Sequence, residues 1–260
     1  MEFSKVLTNN LHPTGNQMLE NSMNINWHGI WEKKGTNAEV NNSLIQLINL
    51  NGFDTGCGSY NEDQWLALAD DFIARTELCQ HDKILELGCG SGAFLYALNH
   101  YVPASYFGID YSEPLIRVAK KVLQEASLCC SEADKSAFGV EKFDIIFSHS
   151  VFQYFSSLNY AYKVLFLWTR RLSSGGKLVL MDLNDIAFKE NYHALRKKDA
   201  DISSCYDSKY KSLKHLFFNK NELKNVLLSL GMKDVEFFPH SEKKYGNAKY
   251  RFNVICRKSN

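Results

Sequence analysis

The chain has no apolar run of the roughly 20 residues that a membrane-spanning helix requires. Its first eleven residues, Met1 to Leu11, carry no apolar core of the kind a secretory leader uses, so export is not expected. None of the seven cysteines, Cys57, Cys79, Cys89, Cys129, Cys130, Cys205 and Cys256, belongs to a Cys-x-x-Cys pair, and their number is odd. That pattern suggests no disulfide framework and fits a reducing cytoplasm. A basic excess is also missing, because 30 lysines and arginines face 29 aspartates and glutamates. Neutralising phosphates is what drives binding to a nucleic-acid backbone, so the charge balance argues against such a partner while leaving a local patch open.

What is present is an ordinary globular composition, 45% apolar and 23% charged, in 260 residues. That length suffices for one α/β domain with extra cover. The first fifty residues are rich in asparagine, with two short helices expected at 27–34, carrying Trp27, Ile30 and Trp31, and around Leu44, Ile45, Leu47 and Ile48. A glycine-rich turn follows from Asn51 to Gly58. Residues 61–78 read as an amphipathic helix capped by Ser59 or Asn61, since Trp65, Leu66, Leu68, Ala69, Phe72 and Ile73 recur at helical spacing.

From residue 83 strands alternate with helices. Strands are expected at 83–87, 106–110, 128–131, 143–148 and 177–183, with helices at 92–99, 112–123 and 160–172 between them. Such alternation implies βαβ units and a mainly parallel sheet covered on both faces. Ser174-Gly175-Gly176 reads as a turn. Residues 184–219 form a long polar stretch with aromatics and no clear strand, a length that is usually functional. A helix at 222–230 and strands at 235–238 and 250–256, joined through Gly246-Asn247, complete a closing hairpin. The expected division is an N-terminal cap at 1–60 and a catalytic domain at 61–260, with an insertion at about 184–219.

The most informative segment is Ile84-Leu85-Glu86-Leu87-Gly88-Cys89-Gly90-Ser91-Gly92-Ala93. A buried strand runs into a glycine turn and then a helix, whose N-terminal N–H groups are free for an anion. Glycines at 88 and 90 let a ligand approach the backbone, and glycine at 92 permits close packing. Read loosely, the turn also meets a dinucleotide fingerprint. Three acids argue for a different ligand. Glu86 lies inside the strand, where it can face an ammonium group. Asp110 ends the second strand, where a carboxylate can accept from two ribose hydroxyls. Asp134 follows the third strand, where an acid can accept from an adenine amine, and neighbouring Glu132 could take that role instead.

Glu86-x-Gly88-x-Gly90-x-Gly92, Gly108-Ile109-Asp110-x-Ser112 and Ala133-Asp134 together resemble the cofactor motifs of class I S-adenosylmethionine methyltransferases, over roughly residues 60–260. The resemblance implies a doubly wound seven-stranded sheet of order 3-2-1-4-5-7-6 with strand 7 antiparallel. It implies S-adenosylmethionine as cofactor, with Glu86, Gly88, Gly90, Gly92, Asp110, Tyr111, Asp134 and Ser148 around it. His149, where the fourth strand leaves the sheet, is the candidate base or a cofactor contact, and Tyr154 the candidate pocket aromatic. No metal is expected. The run Ser148-His149-Ser150-Val151 is not the Asp/Asn-Pro-Pro-aromatic run of amino-methylating DNA enzymes, and Asp182 and Asn184 supply only half of a magnesium set.

Trp27, His28, Trp31, Tyr60, Trp65, Tyr206, Tyr210 and His215 are expected to form an aromatic chamber suited to a small organic acceptor. Trp27-His28-Gly29-Ile30-Trp31 and the final hairpin resemble bacterial small-molecule methyltransferases of sugar or secondary-metabolite pathways. Three other functions stay in view. A macromolecular methyltransferase would use a basic surface near Arg196-Lys197-Lys198 and Lys209 to Lys214. A cofactor-binding partner protein would have a blocked methyl approach, and an oxidoreductase would bind NAD. A homodimer is compatible with the sequence and not specified by it.

Overall fold

The structure is a computed structural model that describes residues 27–36, 43–54, 56–202 and 213–259, with the backbone alone at 196–202. Seven strands form one sheet: β1 (Lys83–Leu87), β2 (Ser105–Asp110), β3 (Ser127–Cys130), β4 (Phe143–His149), β5 (Leu172–Asn184), β6 (Met232–Pro239) and β7 (Arg251–Lys258). Their order is β3-β2-β1-β4-β5-β7-β6. The first five strands run parallel, and β7 is antiparallel to both β5 and β6. This is the expected doubly wound architecture.

Side chains alternate along the strands and feed two cores. Ile84, Ile145, Phe147 and Val179 face one side, where they meet Trp65 and Phe72 of α3 (Glu62–Thr76) and Phe94 of α4 (Ala93–Tyr101). Leu85, Ile146, Leu178 and Leu180 face the other side, where they meet Val164, Leu165 and Trp168 of α6 (Leu158–Thr169) and Leu223 and Leu227 of α8 (Lys220–Ser229). Between β2 and β3 lies α5 (Glu113–Val122). Of the two expected caps for α3, Asn61 is the one used. Its Oδ1 accepts the N–H of Gln64 at 2.8 Å, and Gln64 Oε1 accepts the N–H of Asn61 at 3.0 Å, a reciprocal capping box.

The N-terminal segment forms α1 (Trp27–Lys33) and α2 (Leu44–Leu50). Leu47 and Ile48 of α2 are fully buried in the same core as Trp65 and Phe94.

Three local expectations differ from the structure. Ser174-Gly175-Gly176 does not interrupt β5, which begins at Leu172 and pairs with Phe143. The extra residues are absorbed as a register shift between Phe143 and Ile145, a bulge rather than a turn. The polar stretch after β5 contains a helix, α7 (Lys189–Ile202). Of its described side chains, at 189–195, only Tyr192 is buried, and it packs with Phe217 and Tyr250 in a small separate cluster. The hairpin strands β6 and β7 are also longer than their apolar cores suggested.

Candidate functional site

The C-terminal ends of β1, β2 and β4 open on one cavity of about 780 Å³. In open parallel sheets this is where ligands bind. Parallel register sets Leu87 beside Ile109 and Glu86 beside Phe147, so the glycine turn, Asp110 and His149 emerge on the same edge.

The glycine turn is pinned from two sides. Gly90 donates its N–H to Asp110 Oδ2 at 2.9 Å, and Ser91 donates its N–H to Asn51 Oδ1 at 2.7 Å. Gly88 and Gly90 have φ of +78° and +54°, a region that disfavours residues with a Cβ. A Cβ on Gly88 would also strike Val151, and one on Gly90 would strike the Asn51 side chain. Gly92, the N-cap of α4, does not line the cavity. A Cβ there would come within 2.8 Å of Leu123, so its role is to let α4 start against α5.

Two carboxyls line the cavity floor. Glu86 is almost fully buried and its Oε2 has no hydrogen-bond partner. Burial first, and then the nearby Asp110, hold its pKa well above the usual carboxylate range. Asp110 accepts from Gly90 and, through Oδ1, from the N–H of Ser112 at 2.8 Å. Burial nonetheless pushes its carboxyl up to about 6. The two acids after β3 both have partners. Asp134 is paired with Lys163 at 2.7 Å, which lowers its pKa, and Glu132 reaches His28 at 3.3 Å. Both still line the cavity.

Helix α1 roofs this space. The Tyr111 hydroxyl donates to the carbonyls of Trp27 and His28, both at 3.4 Å, and the His28 ring stacks on Tyr111 with centroids 4.2 Å apart. Ser112 Oγ donates to Trp31 O at 3.1 Å. Across the cavity, Trp27 Nε1 donates to Lys214 O at 2.9 Å, and the Trp27 ring stacks on His215 and meets Tyr154 edge-on.

His149 lies in the cavity wall, stacked on Phe53 at 5.3 Å and 8° and edge-on to Trp65. Its Nε2 has no hydrogen-bond partner. Burial pushes its pKa down to about 3, so the imidazole is neutral at physiological pH.

Ser148 does not line the cavity. Its hydroxyl donates to Leu87 O at 2.8 Å and ties β4 to the start of the glycine turn. Of the expected aromatic chamber, Trp27, His28, Trp31, Trp65 and His215 line the cavity. Tyr60 does not; it is buried and its hydroxyl pairs with His240 Nε2 at 2.9 Å. Tyr206 and Tyr210 lie outside the described residues, as do the side chains of Arg196, Lys197 and Lys198.

The methyltransferase-domain family model matches residues 85–180, the stretch from β1 into β5 that builds this floor. The malonyl-[acyl-carrier protein] O-methyltransferase of Bacillus cytotoxicus is 29% identical over 149 residues, 55% of this chain and 49% of that protein. The chain spans about half the length of the curated relatives it matches first. Magnesium protoporphyrin IX methyltransferase from Synechocystis, solved with S-adenosylmethionine, covers 94% of this chain and 100% of its own, with a TM-score of 0.56 and 13% identity. An amino pentose methyltransferase from Micromonospora echinaspora, also with S-adenosylmethionine, covers 75% and 92%, with a TM-score of 0.57 and 12% identity.

Residues 85–180 are thus similar to a methyltransferase domain, and the sheet shares the fold of methyltransferases solved with S-adenosylmethionine.

Two residues of this site escape sequence reasoning. Asn51 reads as one member of a glycine-rich turn, and only the fold carries its amide to Ser91. Ser150 reads as the residue after the candidate base, and only the fold places it between the cavity and a buried polar network on β5 and β7. Among the described residues no helix is long and apolar enough to cross a membrane.

Proposed function

We propose that this methyltransferase moves a methyl group from S-adenosylmethionine to an oxygen, nitrogen or carbon atom of a small organic acceptor. The observation that carries this reading is the roofed cavity. It runs from the glycine turn to a wall of Trp27, Trp31, Phe53, Trp65 and His215, a mostly neutral aromatic enclosure.

The residues present fit the cofactor. The orphaned Oε2 of Glu86 is a buried acceptor that an ammonium group would satisfy. The bare backbone at Gly88 and Gly90 leaves room that a Cβ would fill. Asp110 keeps lone pairs for ribose hydroxyls, Tyr111 flanks the adenine position, and Asp134 or Glu132 would accept from the adenine amine. Gly92 and Ser148 would act indirectly, by shaping the turn. The bound cofactor supplies an electrophilic sulfonium methyl, and the chain's own task is to align the acceptor with it and exclude water. His149 and Tyr154 are the residues proposed to face the acceptor. A neutral imidazole there can orient the acceptor or take its proton.

A carrier-bound acid is the second reading, favoured by the name of the Bacillus cytotoxicus relative. The test is incubation with methyl-labelled S-adenosylmethionine and a whole-cell extract that keeps its metabolites, carrier proteins, other proteins and RNA, followed by mass spectrometry of each fraction. Label in free small molecules supports the first reading. Label only on a carrier protein supports the second, and label only on RNA or on proteins at large overturns both.

A further inference from the structure

Behind the cavity wall, where β4 ends, lies a buried polar network that the family motifs leave unused. Asp182 of β5 is fully buried at φ +63°, inside the register shift between Leu180 and Leu183 against β7. It pairs with Arg251 of β7, whose side chain is only 4% exposed, and accepts from the Tyr245 hydroxyl at 3.3 Å. Arg251 Nη2 donates to Tyr192 on α7 at 3.5 Å.

The network reaches the cavity through Ser150. This residue lines the cavity and is held at φ +57°. Its hydroxyl oxygen accepts from Gln153 Nε2 at 2.7 Å and from Arg251 Nη1 at 3.4 Å. A hydroxyl has two acceptor lone pairs and one proton. With both lone pairs taken by buried donors, the proton is left to donate elsewhere, and the open side is the cavity. Turning the Gln153 amide over would give Ser150 an acceptor but leave both amide N–H groups in the Oε1 position, which has no partner. Orphaned buried donors are rarer than under-satisfied carbonyls, which favours the arrangement described.

We propose that Ser150, polarised from behind by Arg251 and oriented by Gln153, is a specificity residue that donates a hydrogen bond to a carboxylate or carbonyl oxygen of the methyl acceptor. This rests on the small-acceptor reading above and narrows it. An ammonium group cannot accept that bond. A neutral amine that accepted it would surrender the lone pair needed to attack the methyl group. A carboxylate or carbonyl oxygen has lone pairs to spare and can be held without being blocked.

The test uses the full chain loaded with S-adenosylhomocysteine, with three probes of equal chain length: succinate, 1,4-butanediol and 1,4-diaminobutane. Binding is followed by calorimetry and by quenching of tryptophan fluorescence, because Trp27, Trp31 and Trp65 line the cavity. Succinate is expected to bind saturably and at least about tenfold more tightly than the diol or diamine. Ser150→Ala and Ser150→Gly are each expected to weaken succinate about ten- to a hundredfold while leaving S-adenosylhomocysteine affinity within about twofold. Glycine tolerates φ +57°, so the second variant removes the hydroxyl without backbone strain. Unchanged succinate binding in both variants overturns the proposal, as does no succinate binding to the loaded parent, or a diol or diamine that binds equally well. A chain that fails to bind S-adenosylhomocysteine overturns the methyltransferase reading itself, a result distinct from all of these.

Discussion

Asn51 Oδ1 accepts the backbone N–H of Ser91 at 2.7 Å across 40 positions of sequence, and Asn51 Nδ2 donates to Cys89 O at 3.4 Å. One amide side chain from the N-terminal segment thereby clamps the glycine turn over which the cofactor would lie. Ser91 is fully buried, so its N–H has no water to turn to. Asn51→Ala is expected to cost about 1–3 kcal/mol of stability through that unpaired donor. It is also expected to weaken S-adenosylhomocysteine binding about tenfold, because the turn loses one of its two fixed points. Urea unfolding and calorimetry read the two effects separately.

Asp110→Ala removes the acceptor of two backbone N–H groups and the proposed partner of the ribose. A loss of about 1.5–3 kcal/mol corresponds to a ten- to hundredfold drop in cofactor affinity. Equal binding by the variant, measured by calorimetry, would reduce Asp110 to a cap for the helix after it.

The same residue imposes a pH dependence. Burial raises Asp110 from its ordinary value near 3.8 to about 6, so the native chain holds this proton more tightly than the unfolded chain. Its contribution to stability is fully present below the unfolded value and is lost as pH rises through the folded one. Glu86, also raised by burial, has the same sign. Cofactor binding runs the other way, because ribose hydroxyls and an ammonium group favour ionised carboxylates. The melting shift produced by S-adenosylhomocysteine should therefore grow as pH rises through about 6, and Asp110→Asn should flatten that rise.

His149→Asn should leave cofactor affinity unchanged and lower turnover by about 10²-fold, the lower range for loss of a positioned acid–base group. With its pKa near 3, the histidine adds no inflection near pH 6.5 to the parent profile. An inflection there that disappears in the variant would mean that the imidazole is solvated and titrates normally.

Methyl transfer should survive a chelator. Asp182, the one carboxylate that suggested half of a magnesium set, has Oδ2 committed to Arg251 and Tyr245. Loss of turnover with EDTA and rescue by magnesium would show that this ion pair opens to admit a metal.

Much of this protein was legible from residue order alone. Strand alternation, the Glu86 to Gly92 turn, Asp110 after an apolar strand and the terminal hairpin are local patterns; they point to a mainly parallel sheet and to the position of the floor, while the strand order came with the resemblance those motifs carry. The helix at Lys189–Ile202 was not legible, because its sequence, KENYHALRKKDADI, is mostly polar and carries little apolar periodicity. The site's partnerships were not legible either. Asn51 with Ser91, Trp27 with Lys214, and Ser150 with Arg251 join positions 40, 187 and 101 residues apart. Spacing within a segment says nothing about which segments the fold brings together. The environment of His149 belongs to the same class. Its place at the end of β4 follows from the sequence, but its neutrality comes from Phe53, Trp65 and Phe94 closing around it, and the desolvation that lowers its pKa exists only once those rings are packed.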